Sequence, residues 1–249
     1  MATAVPASAS FCTDDSEAQR VHEALRTAPL LKDVEARTLN RVTAISRIVA
    51  VPEGTMLCRE GEPADELLIV LDGRVAVLAQ SASGTSAVVE VLDAGDAIGL
   101  STVLARLPRL VSARSVKSCR LLSIDAQGLQ TLIAQEPSLV TVLLRAEAQD
   151  FKALVQQVCD LKLRTTAERL ALYLLSLSPE KAGNTTALRL PFDKRLLAAR
   201  LGCRQENLSR AFAALRSLGV ETHGARVILH DIARLRDYAL PDDSLKAPA

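Results

Sequence analysis

Tryptophan is absent from this chain, and between Phe11 and Phe151 there is no aromatic residue of any kind. A ligand pocket in that stretch must grip by shape, aliphatic contact or polar groups, because no ring is there to stack. Cysteine is sparse and scattered. Cys12, Cys58, Cys119, Cys159 and Cys203 show none of the close spacing used by zinc ribbons or iron–sulfur runs. They read as buried, reduced thiols, since free cysteine behaves as a small hydrophobe. No apolar run approaches the ~18–20 residues needed to span a bilayer. The start, MATAVPASASFCTDDSEAQ, lacks both the basic head and the apolar core of a secretory signal. Residues 1–16 and 241–249 are therefore expected as flexible tails on a cytoplasmic protein that makes no membrane contact. There is also no Gly-rich phosphate loop, nucleophile elbow or metal-ligand pair, so an enzyme is not expected.

What is present is a chain of 249 residues with balanced charge, net +1, that becomes informative when divided. The first 161 residues hold 15 basic against 20 acidic side chains, a net of −5; the remaining residues hold 15 against 9, a net of +6. A basic rear behind an acidic front suits a protein whose back end meets a polyanion.

From Arg47 to Ile124 the sequence runs in short β-type segments (ISRIVAV, TMLC, ELLIVL, RVAVLAQ, AVVEVL, LVSARSV, CRLLSI) broken by turn residues. Asp72-Gly73 between two of them reads as a two-residue hairpin. Many short strands at this spacing predict an antiparallel barrel or jelly roll. Helical periodicity precedes it over residues 16–45 and follows it from Ala126 to Leu161. In the second stretch Leu139, Val142, Leu143, Ala146, Leu154, Val158 and Leu161 fall near one stripe behind Pro137, which suits a helix's first turn. Such a stripe either packs on the chain's own barrel or forms a two-fold dimer seam. A fresh capping box, Thr165 with Glu168, then marks a break near 161–165.

Residues 193–217, DKRLLAARLGCRQENLSRAFAALRS, read as two short helices joined at Gly202, a helix-turn-helix. On the second helix Leu208, Ala211, Phe212, Leu215 and Leu218 make the buried face. Gln205, Glu206, Ser209 and Arg210 gather toward its N-terminal half. Arg can donate two bonds to guanine, Glu can accept from cytosine, and Ser serves either, so this face is suited to base edges in a major groove. Residues 219–230 read as a hairpin turning at His223-Gly224, a wing. Arg195, Arg200, Arg204, Arg216 and Arg226 surround the unit as candidate phosphate contacts.

The order of barrel, long helix, capped helix, helix-turn-helix and wing resembles the cyclic-AMP receptor protein / fumarate–nitrate reduction regulator (CRP/FNR) family over residues 17–238. The resemblance rests on EGEPADELLIVLDGRVAV, AGDAIGL, TTAERLALYLL and above all LAARLGCRQENLSRAFAALRSLGV. It implies an α+β fold: a cyclic-nucleotide-binding-like jelly-roll sensor (17–136), a dimerisation helix (137–161) and a winged helix-turn-helix (162–240). It also implies a homodimer that binds double-stranded DNA and meets RNA polymerase. Glu206, Ser209 and Arg210 are similar to the Glu-x-x-Ser-Arg of the FNR and denitrification-regulator branch, which implies a TTGAT-N4-ATCAA-type palindrome.

The sensor half departs from the nucleotide-binding pattern of the family, a Gly-Glu pair followed by Arg-Ser. Gly99 is followed by Leu100, and Arg109, which could stand for the phosphate arginine, is followed by Leu110. These departures argue against cyclic AMP, and the lone N-terminal Cys12 argues against an iron–sulfur cluster. Haem is the further option, with His22 as a ligand on a helix similar to that of nitric-oxide-responsive members. The contrasting expectation is a small-molecule-binding barrel acting on a protein partner, for which a basic winged helix-turn-helix would have no use.

Overall fold

A computed structural model of the protein describes residues 15–80, 86–179, 184–190 and 193–240. The C-terminal tail, Cys12, nearly all of the N-terminal tail and the Ser83-Gly84 turn lie outside them. The chain divides into two compact units, residues 1–152 and 153–249.

The first unit opens with helices α1 (Asp15–Thr27) and α2 (Ala36–Ala44). Eight strands follow: β1 (Ser46–Val51), β2 (Met56–Cys58), β3 (Glu66–Asp72), β4 (Val75–Gln80), β5 (Ser86–Leu92), β6 (Ala97–Ile98), β7 (Ser112–Ser115) and β8 (Cys119–Asp125). They form two antiparallel four-stranded sheets, ordered β1-β8-β3-β6 and β2-β7-β4-β5. Helix α3 (Leu100–Ala105) sits between β6 and β7, and α4 (Ala126–Gln135) leaves β8 through an Asp125 cap that accepts from the Gly128 N–H.

Strand β3 explains why ELLIVL reads as an unbroken apolar run. Leu67 and Ile69 join a core shared with the helices, whereas Leu68 and Val70 point the other way, into the space between the sheets. A strand buried on both faces cannot alternate. Asp72-Gly73 is a correction: β3 pairs with β8 and β6, and β4 with β5 and β7, so the dipeptide carries the chain from one sheet to the other and closes no hairpin. Gly73 has φ +95°, and a Cβ there would lie 2.5 Å from the Ser118 carbonyl oxygen. The glycine thus serves a close backbone approach at a corner.

Helix α5 (Pro137–Leu163) contains the division between the units. In its first turns Leu139 and Leu143 are fully buried among the α1, α2 and α4 side chains, with Ala146 packed beside them. This corrects the expected seam: the N-terminal part of the stripe covers the chain's own core.

The second unit contains the last turns of α5, then α6 (Thr166–Ser176), α7 (Lys194–Arg200), α8 (Gln205–Leu215) and α9 (Ile232–Ala239). Thr165 and Glu168 form the capping box in both directions. Strands β9 (Thr186–Arg189), β10 (Val220–His223) and β11 (Arg226–Leu229) make an antiparallel sheet ordered β10-β11-β9. The wing turns at Gly224-Ala225, since His223 pairs with Arg226, one residue beyond the expected position. β9 has four residues, too short a run to show a strand period.

Candidate nucleic-acid interface and sensor pocket

Helix α7 is capped by Asp193, which accepts from the Leu196 N–H at 2.9 Å, and buries Leu197 and Ala198. Gly202, at φ +60°, turns the chain, and α8 starts after Arg204. Leu208, Ala211, Phe212 and Leu215 anchor α8 from below. Gln205, Glu206, Ser209 and Arg210 are all exposed and share the opposite, N-terminal side. Glu206 lies in the first turn, where the helix dipole favours a negative charge.

The arginines expected around this face divide. Arg195, Arg204, Arg216 and Arg226 are exposed. Arg200 is half-buried, with its guanidinium 5.7 Å from the Tyr173 ring centroid, a cation–π distance. Two basic residues escaped the sequence reading. Arg189 on β9 is exposed and sits opposite Arg226 in the sheet, legible only once β9 is known. Arg169 is an internal tie: its Nε donates to the Leu201 carbonyl at 3.0 Å and its Nη1 to that of Arg164 at 2.7 Å. It therefore fixes the turn of the helix-turn-helix against α6 and the segment leaving α5.

Of the sensor residues, the structure brings Gly99 and Arg109 together and parts the two leucines. Gly99 adopts φ +86° and a Cβ there would overlap the Arg109 Nη1. Arg109 is buried; its Nη2 donates to the Glu66 carbonyl at 2.5 Å and its Nη1 to that of Ile98 at 3.5 Å, while its Nε is buried without a partner. Glu66 in turn takes the Ser123 hydroxyl on its carboxylate and lies 3.5 Å from Arg47. Leu100, the first residue of α3, is buried, and Leu110 is 63% exposed. Cys58 lies near Arg109; burial pushes its thiol up, against the lowering effect of the guanidinium.

His22 is half-buried on α1, with Nδ1 3.3 Å from the Thr43 hydroxyl. That hydroxyl donates to the Leu39 carbonyl, so His22 Nδ1 is the donor in this pair. Among the described residues no group of three or more histidine, cysteine or carboxylate side chains is arranged to hold a metal ion.

On α5 the exposed apolar residues are Leu144, Phe151, Leu154, Val155, Val158, Leu161 and Leu163. Leu144, Phe151, Leu154, Val158 and Leu161 follow alternating steps of three and four, with Glu147 at the one polar step. This is the spacing that a coiled-coil seam uses, and it begins where the self-buried stripe ends. Burial first, and Asp150 second, raise the Glu147 carboxyl above its usual range.

A jelly roll joined by a long helix to a winged helix-turn-helix defines a DNA-binding regulator with a ligand-sensor-type barrel. Residues 48–136 match the family model of the cyclic nucleotide-binding domain, and residues 168–238 that of the Crp-like helix-turn-helix domain. The chain is 31% identical to a solved structure described as a cyclic nucleotide binding protein of Ruegeria pomeroyi, covering 92% of this chain and 100% of that one with TM-score 0.63. It is 27% identical over 218 residues, 86% of this chain and 97% of the other, to the CRP-like cAMP-activated global transcriptional regulator of Mycobacterium tuberculosis. FixK2 of Bradyrhizobium japonicum, at 20% identity, 82% and 99% coverage and TM-score 0.66, shares the fold. The chain belongs to the CRP-like family of DNA-binding transcription regulators. Among the described residues no helix is long and apolar enough to cross a membrane.

Proposed function

We propose that the protein is a homodimeric regulator that sets two copies of α8 into successive major grooves of a TTGAT-N4-ATCAA-type palindrome. The observation that carries this reading is the segregation on α8: Gln205, Glu206, Ser209 and Arg210 outward, Leu208, Ala211, Phe212 and Leu215 inward. Arg195, Arg204, Arg216 and Arg226 contact phosphates, and Arg200 does so on leaving Tyr173. Leu154, Val158 and Leu161, joined by Leu144 and Phe151, form the seam that spaces the two helices about one turn of DNA apart. RNA polymerase is the further partner, as the family resemblance implies. A mobility-shift assay at fixed physiological salt tests the reading: the palindrome binds, and a scrambled site of equal length binds far more weakly. Equal binding to both sinks it.

Cyclic AMP activates the mycobacterial relative by its name. In this chain Arg109 already satisfies two main-chain carbonyls, and Leu100 and Leu110 stand where nucleotide-binding members carry Glu and Ser. The barrel therefore does not answer to cyclic AMP, and titration calorimetry gives no binding heat. A second reading assigns nitric-oxide sensing to haem, favoured by the His22 geometry: Nδ1 is held by Thr43, which leaves Nε2 as the atom that would meet iron. Haem would supply the gas-binding centre. A Soret band after reconstitution that weakens in His22→Ala supports it, and a featureless spectrum removes it.

A further inference from the structure

Two of the chain's three histidines lie together on the wing, around one carboxylate. His223 Nε2 is 2.8 Å from one Glu221 oxygen and His230 Nε2 is 3.0 Å from the other. A carboxylate accepts only, so both imidazoles donate. The arrangement is built by the backbone. Glu221 and His223 project from the same side of β10, two residues apart. His230 is drawn in by its own N–H, which donates to the Gly219 carbonyl at 2.8 Å. A Cβ at Gly219 would lie 3.3 Å from the His230 Cβ, so glycine keeps the approach open.

The surroundings are basic. Arg216, from the 3-10 turn after α8, lines the same open cleft of about 470 Å³ as Glu221, His223 and His230. Arg226 sits opposite His223 across the hairpin, and Arg189 opposite Arg226. The remaining acid, Asp231, is committed to the Arg234 N–H at 3.0 Å and the Asn184 amide at 3.2 Å. Glu221 is thus the one negative group in the cleft, and it lies on the element a winged helix lays beside DNA.

We propose that His223, Glu221 and His230 form a proton-gated phosphate contact, which repels the DNA backbone when the imidazoles are neutral and binds it when they are protonated. This rests on the DNA-binding reading above. Histidine is the side chain whose ordinary titration falls between pH 5 and 8. Protonation of both rings takes the cluster from net negative to net positive. The contact is with phosphate and carries no sequence preference, so it acts on any duplex.

The test is fluorescence anisotropy of the full chain with a random-sequence duplex at pH 8.0 and 5.8, across a salt series. Acidification should tighten binding about 3- to 10-fold at fixed ionic strength and steepen the log K against log salt slope by about 1 to 2. The double variant His223→Gln/His230→Gln should lose both effects while keeping wild-type binding at pH 8.0. Glu221→Gln should tighten binding at pH 8.0, because the negative group in the cleft is removed. Binding that is pH-independent in the wild type, or equally pH-dependent in the double variant, overturns the gate and leaves the DNA-binding reading standing. No binding to the random duplex at either pH overturns the gate, and no binding to the palindrome either overturns both.

Discussion

Arg210 and Arg109 show how position decides what one side-chain type does. Arg210 is exposed on a helix held by Leu208 and Phe212, free to offer its fork to a base. Arg210→Ala should weaken the specific palindrome by about 1–3 kcal/mol and relax discrimination at one base pair, read by competition binding. Arg109 is spent inside the barrel on the Glu66 and Ile98 carbonyls. Arg109→Leu should lower the thermal midpoint of the first unit without touching DNA affinity, since each carbonyl left unsatisfied costs about 1–3 kcal/mol. The cysteines follow the same logic. Burial pushes the Cys58 and Cys119 thiols up, whereas Cys159 is exposed. Alkylation of the native protein should therefore modify Cys159 before either of them, as peptide mass mapping would show.

Helix α5 carries two stripes that sequence periodicity merges into one. Leu139 and Leu143 face the chain's own core, and Leu144, Phe151, Leu154, Val158 and Leu161 face outward. Both obey helical spacing, and a period alone does not say what a face meets; only the position of α1, α2 and α4 separates them. The two stripes predict opposite losses. Leu139→Ala should cost about 2–5 kcal/mol of stability and leave the dimer intact. Leu154→Asp should give a stable monomer by analytical ultracentrifugation, and Glu147→Leu should tighten the dimer by replacing the seam's one polar step. Asp72-Gly73 misled for a related reason: its turn chemistry was legible, but which sheet receives the next strand depends on contacts with Ser118 and Cys119, far along the chain.

At the scale of the molecule, the order of parts was legible because each has its own period: two for the strands, 3.6 for the helices, and a glycine at the helix-turn-helix corner. The outward polar face of α8 was legible for the same reason, since a three-to-four spacing of polar residues is local. The Arg109 lock, the Glu221 cluster and β9 were not, because each depends on pairings between distant residues. The stacking of Arg200 on Tyr173 has an optical consequence. Both tyrosines, Tyr173 and Tyr238, lie in the second unit and there is no tryptophan, so near-ultraviolet emission comes from the DNA-binding half alone. If the proposed phosphate contact draws Arg200 off the ring, DNA binding should change tyrosine emission, and Tyr173→Phe should abolish that change while the Tyr238 emission remains.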